Sequence, residues 1–413
     1  MKTLIRTFLI TIFILMLIGT AFLGGVLLDR QGLIPLGPGQ APRDAAQNFG
    51  LMTQAWNIIK RNYADRSVTD NQTLTYGAIS GMVDALGDTG HSRFLSPQMV
   101  KEENNFTQGQ FEGIGALMQL KDSHVVVVAP YDGSPAQKAG LKPGDILLKV
   151  NGEDISGQPL SQVVGKVLGP AGTTVTLTVA DPVTGETRDL TITRARIDLK
   201  NVTYSILPGT TIGHLRIAAF SQGVTKEVES ALQDLKQQGA TGLVLDLRSN
   251  PGGLLDESIG VASQFLKSGN VLLEKDANGN IKPVPVKDGS VATDLPMVVL
   301  IDQGTASASE IVAGAIQDGQ RAKLIGEKTF GTGTVLLQFP LSDGSSILLA
   351  TKQWLTPGGQ VIWHQGINPT EVVSLPTNIG AVLPEMEKNM TPQQFKDSQD
   401  TQLLRAIQLL TSN

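Results

Sequence analysis

The chain contains no cysteine. That absence excludes disulfides, a catalytic thiol and thiolate metal sites. Histidine is almost as scarce. His91, His124, His214 and His364 are far apart and form no H-x-x-x-H pair, which argues against a zinc centre. Neither a metal nor a cofactor is expected. An excess of basic charge is also lacking: 33 lysines and arginines stand against 38 aspartates and glutamates, for a net charge of −5. No nucleic-acid partner is expected from that balance. Long apolar runs are confined to one place, "FLITIFILMLIGTAFLGGVLL" from Phe8 to Leu28, which carries no charge. Its length suits a bilayer core, and Lys2 and Arg6 ahead of it favour a cytoplasmic N-terminus. The expectation is a single-pass cell-membrane anchor over residues 1–30 with the remainder extracytoplasmic. Cleavage near Gly19–Ala21 is the rival reading.

What is present divides into segments. Residues 31–45 are rich in Pro and Gly and read as a linker. "LMTQAWNIIKRNYAD" places Met52, Trp56, Ile59 and Tyr63 on one helical face, and "LTYGAISGMVDAL" does the same with Ile79, Met82, Val83 and Leu86. Residues 46–108 are therefore expected to be a small helical region. Short strand patterns follow: "GIGALMQL", "HVVVVAPY", "DILLKVNG", "TVTLTVAD" and "TRDLTITRAR", interrupted by the helical pieces "SPAQKAG" and "SQVVGKVLG". With "GIGA" (Gly113, Ile114, Gly115, Ala116) and "SPAQKAGLKPGDILLKVNG", residues 109–197 resemble a circularly permuted bacterial PDZ domain. Small residues at "GIGA" let backbone N–H groups turn inward to hold a peptide carboxylate beside a strand edge.

From residue 198 the pattern becomes strand–turn–helix. "IGHLRIAAF", "GLVLDLRSNPGG" and "MVVLIDQGTA" are apolar runs that each lead into a helical pattern, as expected of a sheet buried on both faces. This core is assigned to residues 198–375, and a C-terminal helical tail containing "DTQLLRAIQLL" to 376–413. Ligands in such sheets sit beyond the carboxyl ends of strands. Two turns compete for that role there, Arg248–Gly253 and "GTASASE" from Gly304 to Glu310. Each puts small residues at a helix N-terminus, where free N–H groups suit a developing oxyanion. The spacing S-x-x-E from Ser307 to Glu310 is also a capping box, so Ser307 could equally be a cap with no chemistry.

The order of "YGAISGMVDALGDTGHSRFLSP", the PDZ-like segment, "LVLDLRSNPGGLLDESI", "GTASASEIVAGAIQD" and "RAKLIGEKTFGTGTV" closely resembles the C-terminal processing peptidases, from about residue 50 onward. The resemblance implies an α+β and α/β multidomain chain with a PDZ domain inserted before a crotonase-like serine protease core. It also implies cleavage of proteins recognised by a free, apolar C-terminal tail. It assigns the nucleophile to Ser307 and the oxyanion hole to the Ala308 amide with Gly252 and Gly253. One departure stands out. The family's lysine base and its supporting glutamine fall on Thr332 and Leu336. A threonine cannot serve as a base at neutral pH. By elimination the base is His364, which has a suitable intrinsic pKa and lies in a segment resembling one that borders the site in tricorn-type proteases. Lys328 is the alternative base. The other function left open is a non-catalytic PDZ-bearing protein that binds C-termini. Self-association is also left open.

Overall fold

In the computed structural model, residues 45–88, 92–107, 110–121, 124–158, 160–198, 200–376 and 379–412 are described. The expected anchor over Phe8–Leu28 and His91 lie outside them. Among the described residues no helix is long and apolar enough to cross a membrane. The chain divides into two compact units, up to Thr75 and from Tyr76 onward.

The first unit holds α1 (Ala46–Asn62) and the start of α2 (Asn71–Asp84). The helical spacing is realised, with Trp56 half-buried and Met52, Ile59 and Tyr63 exposed. In the second unit α2 buries Val83 and leaves Met82 and Leu86 in solvent. The strand β1 (Arg93–Leu95) and α3 (Pro97–Thr107) follow.

The PDZ-like segment begins with β2 (Gln110–Gly113), β3 (Ala116–Lys121), β4 (His124–Pro130) and α4 (Pro135–Lys138). It continues with β5 (Ile146–Val150), β6 (Glu153–Asp154), α5 (Leu160–Val167), β7 (Thr174–Ala180), β8 (Thr187–Thr193) and β9 (Ala195–Asp198). Its sheet runs β3-β4-β5-β7-β8, so β3 is an edge strand. The alternation in "TVTLTVA" buries Val175, Leu177 and Val179 against Val163 and Val167 of α5.

The core contains β10 (Val202–Ile206), β11 (Ile212–Ile217), α6 (Val224–Gln237), β12 (Gly242–Asp246) and α7 (Leu255–Phe265). After β13 (Asn270–Lys275) and β14 (Ile281–Pro285) come β15 (Met297–Ile301), α8 (Ala308–Asp318) and β16 (Lys323–Gly326). The remainder is β17 (Thr334–Pro340), β18 (Ser346–Leu355), β19 (Glu371–Val372), α9 (Pro384–Glu387), α10 (Pro392–Lys396) and α11 (Thr401–Thr411). Strand order in the central sheet is β10-β11-β12-β15-β16-β19, and the β11–β12, β12–β15 and β15–β16 pairs are parallel. Every residue of β11, β12 and β15 is buried. The two-residue period explains how. Leu243, Leu245, Val299 and Ile301 pack with Val228, Phe265 and Val312 of the helices on one face. Val244, Val298 and Leu300 pack with Phe395, Leu403 and Ala406 of the tail on the other. Burying four such side chains fully contributes on the order of 1.5–3 kcal/mol each, and the continuous apolar runs are needed because neither face meets water.

Candidate active site

Because β12 and β15 are parallel neighbours, with Asp246 beside Leu300, the turns after them emerge side by side. Asn250 joins them. Its carbonyl accepts from the Ala306 amide and from the Ser309 hydroxyl, each at 3.0 Å. Asp302 completes the join by accepting from the Ser249 and Gly304 amides at 2.7 and 2.9 Å. Burial pushes the Asp302 carboxyl above the usual range, and the Ser249 amide and Arg248 oppose that shift. The serine turn also packs on the PDZ-like domain: a methyl placed on Gly304 would lie 3.2 Å from both Pro143 Cγ and Val128 O.

Ser307 ends the second turn with φ 54° and ψ −118°. A left-handed φ is unfavourable for a residue with a Cβ and persists only where surroundings impose it. Glu310 is part of what imposes it. Its buried carboxylate accepts from the Ser307 and Thr332 amides at 2.9 Å on one oxygen, and from the Thr329 hydroxyl at 2.5 Å and the Gly331 amide at 2.8 Å on the other. Burial raises this carboxyl while those four donors pull it down. The capping-box arrangement is thus present, yet among the described residues no hydrogen bond of ordinary geometry ties up the Ser307 hydroxyl, which is only half-buried.

The glycines divide the oxyanion role. The Gly252 amide already donates to Asn250 Oδ1 at 2.9 Å. Its conformation, φ +97°, brings the turn so close that a Cβ there would lie 2.7 Å from Ser307 Cβ and 2.8 Å from the Ala308 nitrogen. The Gly253 amide has no hydrogen-bond partner among the described residues, and neither does that of Ala308 at the first position of α8. Two unengaged N–H groups therefore flank the serine, with Gly252 fixing their approach.

Ser307 and Gly253 line a cleft of about 260 Å³ together with Gly113, Ile114, Gly115 and Ala116. Its walls are apolar, with Leu95, Met99, Met118, Val164 and Leu168 contributing from α3, β3 and α5 and the segments beside them. Ala116, Leu117 and Met118 of β3 lie along it. Arg93 and Glu103, paired at 2.9 Å, and Glu102 are the charged side chains on the wall. Tyr131 also lines it, and burial with Glu103 pushes its hydroxyl pKa far up. Thr332 and Leu336 line this cleft. His364 and Lys328 do not. They line a different cavity, between the PDZ-like domain and the core. The His364 ring stacks on Trp363 with centroids 4.6 Å apart, and its amide donates to the Gly331 carbonyl at 2.9 Å.

A second set of polar contacts near the turn was not read from the sequence. Arg216 Nε and Nη2 grip Asp132 of the PDZ-like domain at 2.5 and 2.9 Å, and Arg216 Nη1 donates to the Arg248 carbonyl at 2.8 Å. Beneath the same turn, Arg248 binds Asp246 and Asp400, and buried His214 lies between Asp246 and Glu387 at 3.2 and 2.6 Å. The available signal was charge at i and i+2 in apolar strand runs: His214 and Arg216 in one, Asp246 and Arg248 in the next.

A fold of this kind, with a serine at a strand–helix turn facing free amides, defines a mixed α/β serine hydrolase bearing a PDZ domain. The family model described as peptidase family S41 matches residues 211–373, and the PDZ domain model matches 126–181. The chain is 36% identical over 343 residues to the carboxy-terminal processing protease CtpA of Bacillus subtilis, covering 83% of this chain and 72% of that protein. It is 38% identical over 328 residues to the carboxyl-terminal-processing protease of Synechocystis sp., covering 78% and 76%. Among solved structures it is similar to the photosystem II D1 C-terminal processing protease, with a TM-score of 0.68 and 30% identity over 82% of this chain and 96% of that one. The chain belongs to the carboxy-terminal processing protease family.

Proposed function

We propose that the protein is a serine endopeptidase that receives a protein's free, apolar C-terminal tail along β3 and cleaves through Ser307. The observation that carries this reading is one apolar cleft lined by Gly113–Ala116, Gly253 and Ser307 together, where the Gly253 amide has no hydrogen-bond partner among the described residues. An extended tail adds to the open strand edge by main-chain hydrogen bonds. The Ser307 oxygen attacks the scissile carbonyl, and the Gly253 and Ala308 N–H groups receive the charge that develops on its oxygen. Such a donor contributes about 2.7–4 kcal/mol to the barrier reduction.

The proton is the demanding step. Thr332 occupies the family's lysine position in the cleft, and neither Thr332 nor Leu336 has base chemistry. We assign the base to His364, which must turn from Trp363 toward the cleft to reach the hydroxyl. Its amide donates to the carbonyl of Gly331, the neighbour of Thr332, which supports this reading. Residues Phe8–Leu28 are proposed to hold the enzyme in the cell membrane with its catalytic part outside, so the full chain should resist carbonate extraction.

Fluorophosphonate labelling, with cleavage of an unfolded substrate bearing an apolar tail, tests the mechanism. Both signals should vanish in Ser307→Ala and His364→Ala, and amidating the substrate's C-terminus should slow cleavage. Lys328→Ala losing both signals while His364→Ala keeps them would make Lys328 the base. A wild type that does neither, but gains activity with Thr332→Lys and Leu336→Gln, would overturn the enzymatic reading in favour of tail binding alone.

A further inference from the structure

Arg216 lies near the end of β11 as a buried guanidinium, level with Asp246 in the parallel register of β11 and β12. A charge in that position needs partners on every open side. Asp246 supplies one, at 3.4 Å. The fork of Nε and Nη2 leaves the core and closes on both oxygens of Asp132, at 2.5 and 2.9 Å, in the PDZ-like domain. The third arm, Nη1, donates to the Arg248 carbonyl at 2.8 Å. That carbonyl belongs to the peptide joining Arg248 to Ser249, whose N–H donates to Asp302 Oδ1 at 2.7 Å. Both polar atoms of this one peptide are therefore clamped, just where Ser249 takes a left-handed φ of 50°. Such a conformation persists only when its surroundings hold it, and here one holder is itself held from another domain. Asp132 stands in the loop between β4 and α4. The same stretch supports Gly113–Ala116: the Tyr131 amide donates to the Gly115 carbonyl at 2.9 Å, and the Ala136 amide to the Ile114 carbonyl at 2.7 Å. Gln137 Nε2 steadies Asp132 Oδ1 at 3.2 Å.

We propose that Asp132 and Arg216 are positioning residues for the turn Arg248–Gly253, so that the seat of the PDZ-like domain on the core helps to set the Gly253 amide against Ser307. An oxyanion donor works only at hydrogen-bond distance from the developing charge, and a misplacement of about 1 Å costs about 10²-fold in rate. The far end of the turn is fixed within the core, where the Gly252 carbonyl accepts from the Phe220 amide and the Phe220 carbonyl from the Leu254 amide, both at 2.8 Å. The near end depends on Arg216. Two parallel N–H···O bonds to a carboxylate fix the plane of a guanidinium and so the aim of its third arm. An asparagine in place of Asp132 offers one acceptor oxygen, and its own N–H donors face those of the guanidinium. Nη1 then loses its aim, and the Arg248–Ser249 peptide loses one of its two clamps. The inference rests on the serine-hydrolase reading of the cleft. It adds that the PDZ-like domain acts on the reaction even for a substrate whose tail it does not hold.

The test is Asp132→Asn in the full chain, since Asp132 is half-buried and belongs to neither apolar core. Hydrogen exchange, read by mass spectrometry, follows the segment 248–254, where the Ser249 and Gly252 amides are both hydrogen-bonded. Exchange there should quicken about tenfold, the loss of one charged contact. Fluorophosphonate labelling should slow by about the same factor. On two unfolded substrates, one with a free apolar tail and one with that tail amidated, kcat should fall equally while KM stays within about twofold. Val175→Ala trims the apolar core of the PDZ-like domain and serves as the control for general loosening. It should leave the exchange of 248–254 within about twofold of wild type. The proposal is overturned by wild-type exchange in Asp132→Asn, by a loss that appears only as a raised KM for the tailed substrate, or by an equal rise in exchange from Val175→Ala. A wild type that does not label would remove the proposed hydrolase activity, and the exchange comparison would still decide whether Asp132 holds the turn.

Discussion

The turn Arg248–Gly253 separates two regions built on opposite economies of polar groups. On its cleft side, the Gly253 and Ala308 amides have no hydrogen-bond partner among the described residues and Ser307 is held at φ 54°. On its other side, beneath the tail, the charges answer one another. Asp246 is shared by Arg216, Arg248 and His214, and Asp400 closes Arg248 while capping α11 through the Leu403 amide at 3.0 Å. Strain and unfilled donors are tolerated at the cleft because the network behind it fixes the turn. The ionic region is therefore expected to govern whether the chain folds, and the cleft region whether it reacts.

The largest effect should come from opening the network. Asp246 is fully buried, and although burial works against its ionised form, Arg248, Arg216 and His214 hold its carboxyl well below the usual range. Asp246→Ala would leave those cations without their shared counter-charge, a loss of about 3–5 kcal/mol. Urea unfolding should show that drop. A variant within about 1 kcal/mol of wild type would mean that the network is dispensable and the contrast between the regions is false.

The converse test acts on the cleft alone. Gly252→Ala would force a Cβ to within 2.7 Å of Ala306 O and Ser307 Cβ at a φ that alanine disfavours. The turn must retreat, taking the Gly253 amide from the serine. Fluorophosphonate labelling should fall by about 10²-fold or more, the cost of losing an oxyanion donor, with a smaller proportional change in the unfolding midpoint. Equal labelling of both proteins would show that Gly252 is only a turn residue.

The two regions were also unequally legible in the sequence. Apolar runs with a two-residue period identified β11, β12 and β15, and small residues after them identified both turns, because those signals are local. Local signals left Ser307 open as a plain helix cap, and its pairing with Gly252 and Gly253 as a site came from the family resemblance. What the glycines do individually was not legible: only the bond from the Gly252 amide to Asn250 Oδ1 shows that Gly253 holds the open donor. The network was missed because its partners are far apart in sequence. His214 meets Glu387 across 173 positions and Arg248 meets Asp400 across 152. The spacing of Met52, Trp56, Ile59 and Tyr63 was legible as one face of a helix, and α1 covers Met52, Trp56 and Ile59, with Met52, Ile59 and Tyr63 exposed. Periodicity gives a helix its face but not its partner.

The smallest expected effect is a pH dependence that belongs to the network and not to the cleft. Burial alone would lower the His214 pKa, but Glu387 and Asp246 outweigh it and push it up to about 9. An unfolded chain would return the ring to about 6.5. The folded state thus binds the proton more tightly, so this contribution is fully present below about pH 6.5 and is lost as pH rises through about 9. Its ceiling is about 3 kcal/mol, from 1.36 kcal/mol per pKa unit. The tail should loosen with it, because Glu387 is the tail's contact to the ring and also accepts from Ser205. Urea midpoints measured from about pH 6 to about pH 9.5 should decline in the wild type and stay flatter in His214→Gln, which cannot take up the proton. Parallel declines in the two proteins would place the titration elsewhere and leave His214 as an uncharged hydrogen-bonding bridge.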